Sequence, residues 1–145
     1  MTAFTVQQTD WSRDAARLGT VRRRVFIEEQ GVPEHLEWDT ADVTAIHFLA
    51  LTLDGQAVGC ARLLPDGHIG RMAVLPDWRG LGVGAALLAA AVSAARRTGA
   101  RLVQLSAQLH AAPFYARAGF AVMGDPYEEA GIPHVRMHLK VPASP

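Results

Sequence analysis

Apolar and polar positions change their repeat several times along this chain, and each change marks an element. Near the start, Phe4, Val6 and Gln8 share one side of an alternating segment, the period of a short strand. From Ala15 to Glu29 the residues Ala15, Leu18, Val21, Val25 and Phe26 recur at helical steps, which predicts a helix despite Gly19. Asp10 or Ser12 is placed to cap it, and Gly31 and Pro33 end it. An acidic, irregular stretch then runs to Asp42. Three strands are expected next, Ile46 to Leu53, Ala57 to Leu64 and Ile69 to Leu75, joined through the turn signals Asp54-Gly55 and Pro65-Asp66-Gly67. They predict an antiparallel meander.

Ala85 to Arg97 is rich in Ala and Leu and contains no helix breaker, and Gly99 stands where a C-terminal glycine belongs. Leu102 to Ala107 reads as a strand and Ala111 to Arg117 as a short helix closed by Gly119. Phe120 to Met123 and Val135 to Val141 complete the sheet. The order β-α-β-β-β-α-β-α-β-β predicts a mixed α/β (α+β) domain. No repeat, low-complexity tract or linker interrupts it, so residues 1–145 read as one domain with a frayed tail at Pro142-Ala143-Ser144-Pro145.

Composition narrows the function. Half of the 145 residues are apolar, and 14 basic residues balance 14 acidic ones. That balance argues against a general nucleic-acid binder. The single cysteine, Cys60, leaves no intrachain disulfide and is expected to pack inside a strand, and no Cys/His spacing suggests structural zinc. No apolar run reaches the roughly 18 residues a membrane helix needs, and Met1 to Asp10 lacks a signal-peptide pattern. A cytoplasmic protein without metal, membrane or nucleic-acid partner is expected.

The most informative segment is Ile69-Gly70-Arg71-Met72-Ala73-Val74 followed by Arg79-Gly80-Leu81-Gly82-Val83-Gly84, a strand feeding a glycine-rich turn that opens a helix. Glycines let a backbone approach an anion, and the free N–H groups of a helix start point at it. No Asp or Glu occurs between Asp77 and Asp125 to repel a phosphate there. A loop whose glycines only permit a sharp turn is one alternative. A P-loop would need Lys and Ser/Thr where Ala85 and Ala86 stand. Gly80, Gly82 and Ala85 fit a dinucleotide-binding pattern, but the acidic ribose partner is missing near Ala100 to Gln104, and three antiparallel strands precede the loop.

With Arg79, Gly82 and Gly84 on that loop and Phe114-Tyr115-Ala116-Arg117-Ala118-Gly119-Phe120 downstream, the chain resembles the GCN5-related N-acetyltransferase (GNAT) family over almost its whole length. A narrower resemblance, to the ElaA-like subgroup, rests on Phe26-Ile27-Glu28-Glu29-Gln30-Gly31-Val32-Pro33, Glu37, Asp39, Asp42, His47, Ala107-Gln108 and Gly131-Ile132-Pro133-His134. The resemblance implies a mostly antiparallel twisted sheet of six or seven strands with about four helices, splayed at a coenzyme A cleft. It implies an acetyl-CoA-dependent transferase acting on a primary amine by direct attack, and it leaves room for a homodimer. A non-catalytic CoA-binding domain with a sensing or interaction role is the alternative.

The same resemblance distributes roles. Backbone groups of Met72, Ala73 and Val74 would bind the pantetheine arm, and N–H groups from Arg79 through Gly80, Leu81, Gly82 and Val83 to Gly84 the diphosphate. Gln108 stands where many members have an asparagine near the pantetheine, and Phe114 lies beside it in the cofactor region. Tyr115 matches the tyrosine that protonates the departing thiolate; a core aromatic is the other reading. His134, an imidazole at the start of the last strand, is the preferred general base, against a hydrogen-bonded structural histidine. His68 sits near the position of the glutamate base of many relatives, or is a solvated turn residue, and His138 lies on the same strand face as His134. Glu29, Gln30, Glu37 and His47 are expected to line the acceptor side, where carboxylates would attract a cationic amine.

Overall fold

The computed structural model describes residues 3–142, so the last residues of the tail expected to fray lie outside it. Seven strands form one sheet in the order β1-β2-β3-β4-β5-β7-β6. They are β1 (Phe4–Thr9), β2 (Ile46–Thr52), β3 (Ala57–Leu63), β4 (His68–Val74), β5 (Leu102–Gln108), β6 (Ala121–Glu129) and β7 (Ile132–Lys140). The helices are α1 (Trp11–Arg22), α2 (Glu34–Glu37), α3 (Val83–Arg97) and α4 (Ala112–Arg117). All neighbouring strands run antiparallel except β4 and β5. The mixed α/β class and the strand meander are as the sequence predicts.

Both faces of the central strands are covered, which is why β2 and β3 read as nearly unbroken apolar runs. On β2, Phe48 and Ala50 join the core beneath α3, while Leu49 and Leu51 join the core beneath α1. α3 buries Val83, Leu87, Leu88, Ala91, Ala94 and Ala95, one helical stripe. Gly99, at φ 90°, ends it: the Gly99 N–H bonds Arg96 O and the Ala100 N–H bonds Ala95 O. Gly119 closes α4 in the same way, with the Phe120 N–H on Tyr115 O.

The sequence misplaced several boundaries. Asp10 caps a helix that starts at Trp11, ahead of the expected Ala15, and a non-helical Asp14 (φ −130°, ψ 23°) separates its first turn from the periodic stretch. The helical run then continues through a wider π-type segment, Arg23–Glu29. β6 extends to Glu129 and β7 starts at Ile132, making a hairpin about twice as long on the β6 side as the expected Phe120 to Met123. β6 is an edge strand with nearly every residue exposed, so it carries no apolar alternation to read.

Two departures from regularity make the site. β4 and β5 pair only at His68 with Gln104 and Ile69 with Leu105, and beyond those pairs the strands part. β4 also carries one extra residue against β3, at the register shift between Cys60 and Arg62, where Arg71 takes φ 47°. A non-glycine residue there costs on the order of 1–2 kcal/mol. The Arg71 guanidinium holds the bulge in place by donating to Leu36 O, Glu37 O and the Asp39 carboxylate.

Candidate active site

The parting of β4 and β5 opens a cleft of about 1100 Å³. One wall is β4, where Met72, Ala73 and Val74 face the opening; α4 supplies Phe114 and Tyr115, and the ends of β5 and β7 supply Gln108 and His134. Glu29 and Gln30, at the end of the π-type segment, close the remaining side.

At the mouth, Gly80 and Gly82 take φ 76° and 87°, the left-handed region that a side chain would strain. A Cβ at either would meet nothing within 4 Å, so open space lies before the loop. Gly82 is the N-cap of α3, and no side chain caps it. The first intrahelical bond is Ala86 N–H to Gly82 O, so Val83, Gly84 and Ala85 have no helical carbonyl to bond. These amides and the helix dipole make an anion site. Gly84 serves a further purpose: a Cβ there would come 3.4 Å from the Phe114 ring, so its absence brings α3 against α4. The Arg79 side chain is turned to Glu29, in a bidentate pair of 2.8 and 2.7 Å, and its Nε donates to Val74 O at 2.9 Å. Gln108 likewise donates to Gln30 at 2.7 Å across the cleft.

Tyr115 lies edge-on to Phe114 and Phe120, with its hydroxyl 3.8 Å from Met72 Sδ. Burial pushes its phenol up to about 12, so it keeps its proton throughout the neutral range. His134 is buried, and its Nδ1 lies 2.6 Å from Ile132 O. A carbonyl only accepts, so Nδ1 carries the hydrogen and Nε2 of the neutral ring is the basic nitrogen. Glu129 Oε2 stands 3.7 Å from that Nε2, and the Tyr127 ring stacks on the imidazole at 6.1 Å. His68 begins β4, half exposed and paired with Asp66 at 3.0 Å, which matches the turn-residue reading; it lies at the far end of the cleft. Cys60 is buried, with its thiol pushed up to about 12 by burial, which leaves no thiolate for covalent catalysis.

The acceptor-side expectations need correction. His47 does not reach the cleft: its ring is 1% exposed, sits against Trp11 and bonds Asp42 O at 2.9 Å. Glu37 does line the cleft, but its carboxylate is taken by Arg22 at 2.9 Å and Arg71 at 3.1 Å. Asp42 bonds Arg22 at 2.7 Å and Arg62 at 3.0 Å, and Asp39 bonds Arg62 and Arg71. The acidic stretch is thus the partner of three arginines rather than a free lure for a cation. The sequence reading missed Arg62 and Ser106 on the cleft wall. An arginine inside the apolar run Ala57 to Leu64 was the available signal for the first.

Comparison with known proteins agrees with this architecture. The family described as Acetyltransferase (GNAT) domain matches residues 7–141. The N-acetyltransferase YjcF of Bacillus subtilis, itself uncharacterised, is 37% identical over 81% of this chain and 86% of its own length. The crystal structure of Escherichia coli ElaA superposes with a TM-score of 0.84 at 30% identity, covering 94% of this chain and 99% of that one. An acyl-CoA N-acyltransferase from Pseudomonas aeruginosa gives 0.82 at 30% identity, with the same coverage. The family's domain spanning nearly all of the sequence, on a sheet that opens between its two parallel strands, places the chain in the GNAT acetyltransferase family.

Proposed function

We propose that the protein transfers an acetyl group from acetyl-CoA to the primary amine of an acceptor by direct attack. The observation that carries this reading is the composition of one cleft: an uncapped helix start at its mouth, a neutral phenol on one wall and an imidazole with a free basic nitrogen on another. The residues present suit the cosubstrate. Amides from Arg79 to Gly84 would hold its diphosphate, the backbone of Met72 to Val74 its pantetheine arm, with Gln108 and Phe114 beside it. The thioester supplies the acetyl group and a thiolate leaving group.

The remaining work falls to side chains. His134 Nε2 accepts the proton that the attacking amine loses. Tyr115 donates its proton to the departing sulfur, and the two protons are exchanged with solvent before the next turnover. Glu129 is near enough to steady a charged His134. Gln30 and Glu29 lie on the acceptor side.

Thiol release from acetyl-CoA with a panel of amines tests the proposal. Tyr115→Phe is expected to lower kcat about 10²–10⁴-fold while CoA affinity stays within a few-fold. His134→Gln should lower kcat at neutral pH by a similar factor, because no basic nitrogen then stands ready to take the amine's proton. CoA binding with no amine-dependent thiol release from the unaltered protein would instead favour a binding domain without catalysis.

A further inference from the structure

Among the described residues, the carboxylates that line the cleft are Glu29, Glu37 and Glu129, and the first two are engaged. Glu29 is held by Arg79, and Glu37 by Arg22 and Arg71. Glu129 has no arginine or lysine partner among the described residues. Its basic neighbour is His134, with Glu129 Oε2 3.7 Å from Nε2. That distance is too long for a hydrogen bond. Nor can the neutral ring supply one, because Nδ1 carries the hydrogen, toward Ile132 O, and Nε2 offers only a lone pair. Two acceptors thus stand side by side on the cleft wall with no donor of their own to share.

The β6–β7 turn sets this geometry. Ala130 and Gly131 take φ 52° and 75°, the two left-handed residues that a two-residue hairpin turn requires. The turn pairs Glu129 with Ile132 and Tyr127 with His134, so these four share one face of the sheet. On its other side His134 pairs with Gln108, which also lines the cleft. Glu128 pairs with Pro133 and belongs to the opposite face. The Glu129 side chain is 58% exposed, so a solute reaches it from solvent, while His134 beside it is buried.

We infer that the acceptor docks as an alkylammonium ion bridging the Glu129 carboxylate and Nε2 of His134. An aliphatic amine carries its extra proton near neutral pH and then has three N–H donors. A nitrogen about 2.8 Å from each acceptor spans the gap between them. A weakly basic arylamine, neutral at the same pH, gains no ion pair here. One ammonium proton passes to His134 Nε2 and leaves to solvent past the exposed Glu129. The amine that remains has the lone pair needed for attack, and Nε2 is free again for the proton released as the N–C bond forms. The inference rests on the reading of this cleft as an amine-acceptor site and names the residue that recruits the amine.

Nitrogen-15 NMR of the histidine rings, with and without saturating CoA, tests it with butylammonium chloride and butan-1-ol as probes; the His134 signals are identified by their loss in His134→Gln. Butylammonium should shift the His134 signals saturably, and butan-1-ol should not. Glu129→Gln should weaken that binding at least about fivefold. Glu128→Gln removes the same charge from the opposite face and should change it by less than about twofold. In thiol-release assays with butylamine, Glu129→Gln should raise the amine KM by the same factor as the binding and leave the acetyl-CoA KM unchanged. Absent shifts in the unaltered protein, binding that survives Glu129→Gln, an equal loss in Glu128→Gln, or a fall in kcat at unchanged amine KM would each overturn the inference. CoA binding and turnover with no effect of Glu129→Gln on the amine removes this inference alone; butylammonium held through Glu129 without any thiol release removes the transferase reading alone.

Discussion

His47 shows how a residue's neighbours, more than its type, decide its role. Its ring is sealed among Trp11 and the arginine cluster, and burial lowers its pKa. The folded protein therefore keeps it neutral where the unfolded chain would protonate it. That contribution to stability is complete above the unfolded value of about 6.5 and is lost as pH falls below it. Melting temperature should decline between pH 6.5 and 5, and His47→Gln should flatten that decline; an unchanged slope would remove the argument. The same residue shows what local sequence withholds. Arg22 meets Glu37 and Asp42 at separations of 15 and 20 residues, so the ion pairs leave no periodic trace, and Glu37 read as a carboxylate of the acceptor side.

At the scale of elements, tight approach is visible at Gly59 on β3. A Cβ there would come 3.0 Å from both Leu87 and Val83 on α3 and 3.2 Å from Ala73 O. Gly59→Ala should cost about 1–3 kcal/mol in a denaturant titration, because helix and sheet must move apart. Elements with a local signal were legible: the β2–β4 meander from its turns, α3 from its Ala/Leu face and α4 from Gly119. The wide turn at Arg23–Glu29 was not, since its apolar spacing continues that of α1. The β6–β7 hairpin was cut short because β6 is exposed and carries no apolar alternation. The glycine loop and Tyr115 were legible as motifs, whereas the bulge at Arg71 depends on contacts with Glu37 and Asp39 that only the folded chain makes.

Across the whole molecule, one arginine–carboxylate cluster ties together the segments beside the cleft. Arg22 joins α1 to α2 and to the Asp42 turn, Arg62 joins that turn to β3, and Arg71 joins α2 to β4. Trp11 and Trp38 flank the Arg22 guanidinium at 5.5 and 5.0 Å. Removing Arg22 strands two buried carboxylates, so Arg22→Leu should destabilise the protein by about 3–5 kcal/mol, measured by denaturant unfolding. The account as a whole turns on the helix start that faces the cleft mouth. Calorimetry comparing coenzyme A with pantetheine, which lacks the diphosphate, addresses it most directly. Coenzyme A should bind the folded protein at least about a hundredfold more tightly, since the Gly80–Gly84 amides have an anion to hold only in that ligand. Equal affinity for the two, or no heat with coenzyme A, would contradict it.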